Sequence, residues 1–279
     1  MPYPEPIREM LLQIWRSPDP SVLKQLCEIP FVAHNIPLSE NIRTRPEVDE
    51  LISDSPRTKA IHDSLQRFIK PDLLGKSALD LGCLEGGQSF ELRRAGLNVL
   101  GVEGRDENYQ KCLLIKEYFK NLGGLNFLLC DVHDFEPQTT FDFVLCSGLL
   151  YHLDDAASFI GKLGRWTSPG GMLFLDTHVA PEDSDFGQSA FRDALSEIKT
   201  VCIDGLEVRY REYQEDVRNL EASIGNNFSM WMDVPSHLEL LFRAGFGHVF
   251  ELHGYFSLGE QALKRKYSRR YFVAIKEPI

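Results

Sequence analysis

The chain has 279 residues, 43% apolar and 25% charged, and its 41 acidic and 30 basic side chains leave a formal net charge of −11. Those values exclude a disordered, collagenous or disulfide-scaffold protein, and no apolar run approaches the ~20 residues that a membrane-spanning helix needs. The acidic balance also speaks against a nucleic-acid partner, because affinity for a phosphate backbone comes from basic side chains. Residues 1–6 carry no basic stretch followed by an apolar one, so no secretory leader is expected and a cytoplasmic protein is. Nine of the fifteen prolines fall in residues 1–60. That stretch holds short amphipathic pieces, Ile7–Trp15 and Val22–Cys27, and reads as a few helices joined by proline turns. Residues 1–56 are therefore expected to form a helical cap or lid.

From Arg57 to Ile69 the apolar positions Ile61, Leu65, Phe68 and Ile69 recur at helical spacing, and Pro71 ends the helix. An alternation follows. Ser77–Leu81 predicts a strand, Gln88–Ala95 a helix closed by Gly96, and Asn98–Glu103 a strand. Glu107–Asn121 predicts a helix broken at Gly123-Gly124, and Leu125–Cys130 and Phe141–Cys146 predict strands. Ala156–Trp166 predicts a helix, and Ser168-Pro-Gly-Gly171 turns into a strand over Met172–Asp176. Strands alternating with helices of this length imply a doubly wound, mostly parallel α/β sheet, whose ligands bind beyond the carboxyl ends of its strands. Residues 179–233 are acidic and poorly periodic, and read as an insertion over the sheet. Within them Asp204-Gly205, between Lys199–Ile203 and Leu206–Tyr210, is a two-residue hairpin signal. Pro235–Ala244 then predicts a helix closed by Gly245, with strands over His248–His253 and Tyr271–Ile275.

Six cysteines, at 27, 83, 112, 130, 146 and 202, form no C-x-x-C pair, and Cys83, Cys130 and Cys146, in or just after apolar runs, read as small buried residues in a reducing compartment. Lys264, Arg265, Lys266, Arg269 and Arg270 place five cations in seven residues. They read as a solvated surface run or as a contact for a phosphate or acidic substrate.

Chemistry concentrates where the first strand ends, in Ala78-Leu-Asp-Leu-Gly-Cys-Leu-Glu-Gly-Gly87. A glycine-rich turn from strand to helix admits a ligand close to the backbone. Glu103 follows Gly82 by 21 residues, at the tip of the second strand, where a carboxylate can accept from both hydroxyls of a ribose. Together they point to an adenosine-containing cofactor. A dinucleotide fits poorly: Leu84 stands where a pyrophosphate needs glycine, and Asp80 would repel it. A carboxylate there suits a cationic or amino-acid cofactor end.

These motifs resemble those of the seven-stranded S-adenosylmethionine-dependent methyltransferases, closely over residues 57–178 and loosely over 234–276. The resemblance is carried by Leu79-Asp-Leu-Gly-Cys-Leu-Glu-Gly-Gly, by Glu103 in Val-Glu-Gly-Arg and by Asp131 in Leu-Cys-Asp-Val-His. Phe141-Asp-Phe-Val-Leu-Cys-Ser-Gly-Leu-Leu-Tyr-His-Leu and Ser168-Pro-Gly-Gly-Met-Leu-Phe-Leu-Asp complete it. Leu84 departs from the pattern, which more often has glycine. The resemblance implies a Rossmann-like sheet of seven strands, the last antiparallel, in a domain spanning 57–279 with a substrate-side insertion at 179–233. It implies Asp80, Gly82, Cys83, Leu84 and Gly86 on the methionine and ribose side. Glu103 and Gly104 would lie at the ribose, Asp131 and Val132 at the adenine, and Cys146, Ser147 and Gly148 under the methionine.

His152 is the candidate general base or substrate contact, with capping of the next helix through Asp154 and Asp155 as the alternative. His178 has a similar place beside Asp176 and is the second catalytic candidate. No second and third ligand accompany Asp176, so no metal is expected. Tyr151, Phe228 and Trp231 are expected on the substrate side, the last two in an aromatic stretch that could instead pack the insertion. Tyr3, Trp15 and Phe31 could belong to the lid. The expected activity is transfer of a methyl group from S-adenosylmethionine to an oxygen or nitrogen of a small-molecule acceptor, releasing S-adenosylhomocysteine, by a monomer or homodimer without a membrane partner. The alternatives are a transferase modifying the tRNA wobble uridine, to which Gly148-Leu-Leu-Tyr-His-Leu is similar, and a non-catalytic S-adenosylmethionine-binding protein.

Overall fold

A computed structural model describes residues 4–69, 73–186, 189, 191–216, 222–253, 255 and 268–278. Tyr3, Pro71 and Lys264, Arg265 and Lys266 of the basic run lie outside the described residues. Seven strands form one sheet in the order β3-β2-β1-β4-β5-β10-β9, and three more form a second sheet, β6-β7-β8. The chain divides into two compact units, Met1–Glu136 and Pro137–Ile279.

The first unit runs α1 (Glu5–Arg16), α2 (Pro20–Glu28), α3 (Pro56–Phe68), β1 (Ser77–Leu81), α4 (Gly87–Arg94), β2 (Asn98–Glu103), α5 (Asp106–Tyr118) and β3 (Leu125–Leu129). Its helix starts are written in the sequence. Asp19 accepts from the Ser21 and Val22 N–H groups ahead of α2, and Ser55 accepts from Thr58 N–H ahead of α3. Pro20 and Pro56 follow these caps, where a missing N–H costs nothing. The strands β1, β2 and β3 are parallel, and Leu79, Leu81, Val102, Phe90 and Ile115 are buried around them. The segment between α2 and α3 is not a loose linker. Pro37 bridges to Arg43, and the Tyr118 hydroxyl donates to the Leu38 carbonyl at 2.5 Å.

The second unit runs β4 (Phe141–Ser147), α6 (Ala156–Trp166), β5 (Thr167–His178), α7 (Asp183–Phe186), β6 (Lys199–Ile203), β7 (Leu206–Gln214), β8 (Phe228–Met232), α8 (Val234–Arg243), β9 (Phe246–Glu251) and β10 (Arg269–Lys276). β4 and β5 are parallel, while β10 runs antiparallel to both β5 and β9, as expected for the last strand. The ladder pairs Phe141 with Thr167 and resumes at Phe143 with Met172. The turn read at Ser168-Pro-Gly-Gly171 is thus an irregularity inside a longer strand β5, with Gly170 at φ +72°. In the insertion, Asp204 and Gly205 have φ +48° and +76°. Positive φ at both central residues is the signature of a hairpin turn that matches strand twist. The aromatic stretch around Phe228–Met232 is the third strand of that small sheet, pairing Trp231 with Arg211. Among the described residues no helix is long and apolar enough to cross a membrane.

α6 and α8 meet at Gly164, where a Cβ would collide with the Ala244 carbonyl oxygen and lie 2.8 Å from the Ala244 side chain. Replacing Gly164 by alanine should therefore lower unfolding free energy by ~1–3 kcal/mol, the usual range for overpacking. Urea denaturation checks this, and an unchanged midpoint would contradict the close approach.

Candidate active site

In the first unit, three acids stand at the carboxyl ends of β1, β2 and β3. Asp80 is 2% exposed and accepts from the Ser89 hydroxyl at 2.6 Å. Burial pushes its carboxyl up to about 7, opposed by Ser89 and reinforced by the nearby charge of Glu103. Glu103, also buried, accepts from Leu84 N–H at 2.8 Å through one oxygen and from Arg105 N–H at 2.9 Å through the other. Burial raises it too, against those donors. Gly104 follows in the turn that carries Arg105. Beyond β3, Asp131 accepts from His133 N–H at 2.9 Å, Val132 is buried, and Cys130 N–H donates to the Glu103 carbonyl.

The turn from β1 to α4 holds three left-handed residues, Gly82 at φ +63°, Leu84 at +54° and Gly86 at +75°. A residue with a Cβ is strained there, which explains in physical terms why glycine is the commoner residue at the position of Leu84. Cys83 is buried with its Sγ 3.9 Å from that of Cys112, and burial pushes its thiol up. The first helical N–H of α4, on Gly87, donates to His34 Nδ1 at 3.0 Å. That donor, which a pyrophosphate would use at a helix start, is therefore occupied. Neither His34 nor its neighbour Glu85, which engages the same upstream segment, is among the residues the sequence reading picked out; their partners lie 51 to 53 positions away in the chain.

The second unit presents another cluster. Cys146 is fully buried at the end of β4, and the Ser147 hydroxyl donates to Asp176 at 3.0 Å. Gly148, at φ +77°, donates its N–H to the Asp176 carbonyl. Arg269 grips the Asp176 carboxylate with both edges of its fork, Nε–Oδ1 2.8 Å and Nη2–Oδ2 2.7 Å, and lies over the Tyr151 ring at 5.9 Å. Burial alone would weaken the charge of Arg269, but the facing Asp176 holds it up.

His152 sits in a short turn after β4, and its Nδ1 lies 3.0 and 3.1 Å from the two oxygens of Glu215. A carboxylate only accepts, so Nδ1 carries the proton and Nε2 the lone pair that can take another. The Glu215 side chain is 1% exposed against 15% for His152. Asn226 secures the turn by donating to the His152 carbonyl. Tyr151 meets His178 edge-on at 4.6 Å. His178 stacks flat on Trp231 at 4.6 Å, and Trp231 stacks on Tyr213 at 4.8 Å. With both faces covered and its indole N–H donated to the Tyr151 carbonyl, Trp231 backs this cluster from inside. Phe228 stands at its own strand's start, 43% exposed. Glu215 was visible in the sequence only as one more acid of the insertion, because its partner lies 63 residues away.

A family model described as a methyltransferase domain matches residues 54–240. The chain is 32% identical over 116 residues to a tRNA U34 carboxymethyltransferase of Alteromonas mediterranea, covering 40% of this chain and 35% of that one. It is 32% identical over 130 residues to the mitochondrial ubiquinone biosynthesis O-methyltransferase of Homo sapiens, covering 43% and 35%. The matched stretch thus spans about a third of the length of these two relatives. In structure, the chain resembles the N-terminal domain of EvdMO1, solved with SAH and D-fucose, at a TM-score of 0.64 and 22% identity over 93% of this chain and 96% of that domain.

The elevated value of Asp80 sets a pH dependence. Its folded value of about 7 lies above the ordinary 3.8, so the folded state holds this proton more tightly. Stability from this group falls as pH rises from about 4 to about 7 and is level above that. Asp80→Asn should abolish the decline and leave the protein more stable than wild type at pH 8. Denaturation at pH 5 and pH 8 checks this; equal pH dependence in both proteins would refute the assignment.

Proposed function

The chain belongs to the methyltransferase-domain family, and on that premise we propose that it transfers a methyl group from S-adenosylmethionine to an oxygen or nitrogen of a small-molecule acceptor. The observation that carries the reading is the histidine–carboxylate pair His152–Glu215 beside Tyr151. The donor set of the first unit suits this cofactor. S-adenosylmethionine brings a sulfonium, an ammonium and a ribose diol. Asp80 and Glu103 are buried acids whose carboxyls are raised by burial, and Glu103 also raises Asp80. A cationic ligand relieves that repulsion. Glu103 accepts the Leu84 and Arg105 N–H groups and a hydrogen bond from the Asn108 side chain, which leaves the carboxylate acceptor capacity for a ribose hydroxyl. Asp131 and Val132 would meet the adenine, and Gly82, Cys83, Leu84, Gly86 and Gly104 the ribose and methionine.

The bound cofactor supplies an electrophilic methyl on a positively charged sulfur. This chain's residues hold the reactants and move the acceptor proton. Positioning alone can contribute ~7–11 kcal/mol when the reacting atoms are held in line. His152 Nε2 takes the acceptor proton as the new bond forms, and Glu215 fixes the tautomer and stabilises the imidazolium. Tyr151 and His178 orient the acceptor, with Trp231 behind them.

Arg269 and Arg270, from the basic run, weigh against a tRNA substrate. Arg269 is paired with Asp176 and Arg270 with Glu251, their side chains 20% and 17% exposed. Neither offers a bare cation to a phosphate backbone.

Three measurements test the reading. Incubation with S-adenosylmethionine labelled on its methyl, together with separate metabolite and tRNA fractions of a cell extract, should label the metabolites; label in tRNA would overturn the choice of acceptor. His152→Gln and Glu215→Gln should lower turnover, His152→Gln by ~10²–10⁴-fold as for loss of a general base, with cofactor affinity unchanged. Glu103→Ala should instead weaken cofactor binding about tenfold or more in calorimetry, as for loss of a charged hydrogen-bond partner. Full turnover in His152→Gln would remove the base assignment.

A further inference from the structure

Glu85 lies inside the turn between β1 and α4, yet its side chain is fully buried. A carboxylate is stable there only when paired and hydrogen-bonded. Its Oε1 accepts from the Val32 N–H and the Lys111 ammonium, each at 2.7 Å, and its Oε2 from the Ala33 and His34 N–H groups at 3.0 and 2.8 Å. Three successive backbone N–H groups converging on one anion form a nest. Burial alone would raise this carboxyl, but Lys111 and the N–H donors hold it below the usual range. The grip is returned from the other side. His34 Nδ1 accepts from Gly87 N–H, and burial lowers the ring to about 4, so it stays neutral with its lone pair available. Gly87 permits the approach: a Cβ there would lie 2.5 Å from Ile52 Cδ1 and 2.7 Å from His34 Cγ.

Leu84, the neighbour of Glu85, is held at φ +54°. That conformation is strained for a residue with a side chain, so it persists only while its surroundings enforce it. The Leu84 N–H donates to Glu103 Oε2, and the Leu84 carbonyl accepts from the Cys112 thiol at 3.1 Å. One peptide unit therefore joins a carboxylate gripped by residues 32–34 to the backbone donor that orients Glu103.

We propose that Glu85 is a positioning residue that makes the segment 32–34 part of the cofactor-binding apparatus, so that order in that segment and affinity for the methyl donor rise together. This rests on the donor reading given above. The three N–H groups concerned are donated to Glu85 and not to the cofactor, so the coupling runs through the turn. When Glu85 lets go, Leu84 relaxes from its strained conformation and withdraws its N–H from Glu103. Coupling is reciprocal, so the bound cofactor in turn stabilises the segment.

The test uses the whole chain and S-adenosylhomocysteine or S-adenosylmethionine as the probe. Hydrogen exchange at the Val32, Ala33 and His34 amides should slow tenfold or more when the probe saturates the wild-type protein. Glu85→Gln should raise the calorimetric Kd tenfold or more. Leu163→Ala, a core truncation in α6, should lower thermal stability and leave Kd within twofold, which separates positioning from general loosening. Unchanged exchange at the three amides in a protein that binds the probe overturns the inference and leaves the donor reading intact. An unchanged Kd in Glu85→Gln does the same. If Glu85→Gln does not fold, the exchange measurement on the wild-type protein decides alone. A wild-type chain that binds neither probe overturns the donor reading and this inference with it.

Discussion

A carboxylate cannot stay buried without partners, and Glu85 draws three of its four from a segment 51 to 53 residues upstream, the fourth being Lys111. Much of the first unit follows from that requirement. The segment must lie against the turn, so Gly87 must lack a side chain, and His34 arrives where it can accept from the helix start. With that N–H occupied, the helix start lacks its first donor for a ligand phosphate. The same contact gives the proline-rich stretch between α2 and α3 a fixed course, reinforced by Tyr118 at the Leu38 carbonyl and by Asn35 at the Val48 and Glu50 carbonyls.

The two units differ in how two of their buried acids are met. In the second, acids meet complementary partners: Asp176 faces Arg269, Glu215 faces His152, and Arg211, fully buried, meets Asp183 and two backbone carbonyls. In the first, Glu85 is paired in the same fashion, but Asp80 and Glu103 are both raised by burial. A fold optimised for stability alone would not keep two acids so close in a desolvated turn. The imbalance is what an incoming cation would correct, and a site that is destabilised without its ligand is a common trade of stability for binding.

What the sequence made legible was local. Alternating strands and helices specify the parallel ladders, because period and length belong to contiguous residues. Ser55-Pro56 and Asp19-Pro20 announce helix starts, and Asp204-Gly205 announces a turn, because each acts on its own backbone. Asp80 and Glu103 are legible from the glycine-rich turn and the spacing to the next strand end, and Asp131 from the resemblance of its motif. What stayed hidden was long-range pairing. Nothing near Glu215 marks it as the partner of His152, nor does anything near Arg269 mark it as the partner of Asp176. Phe228–Met232 was ambiguous because an apolar stretch that becomes a strand in a small insertion sheet has the same composition as a pocket wall. The run Ser168–Gly171 misled for the opposite reason: proline and glycine signal a turn, and here the irregularity is absorbed within strand β5.

The pairing of His152 with Glu215 bears on which acceptor the site would serve. A tertiary amine can attack a sulfonium methyl with its lone pair and has no proton to lose. A hydroxyl or a protonated amine cannot complete the transfer until a proton leaves. Burying the Glu215 side chain to 1% exposure is unfavourable unless its charge is paired, as it is with His152. On the proposed reading it holds Nδ1–H, which would fix Nε2 as the basic nitrogen and stabilise the cation formed when that nitrogen is protonated. Such an arrangement contributes nothing to a reaction that releases no proton. The dyad therefore supports, among oxygen and nitrogen acceptors, those that arrive protonated.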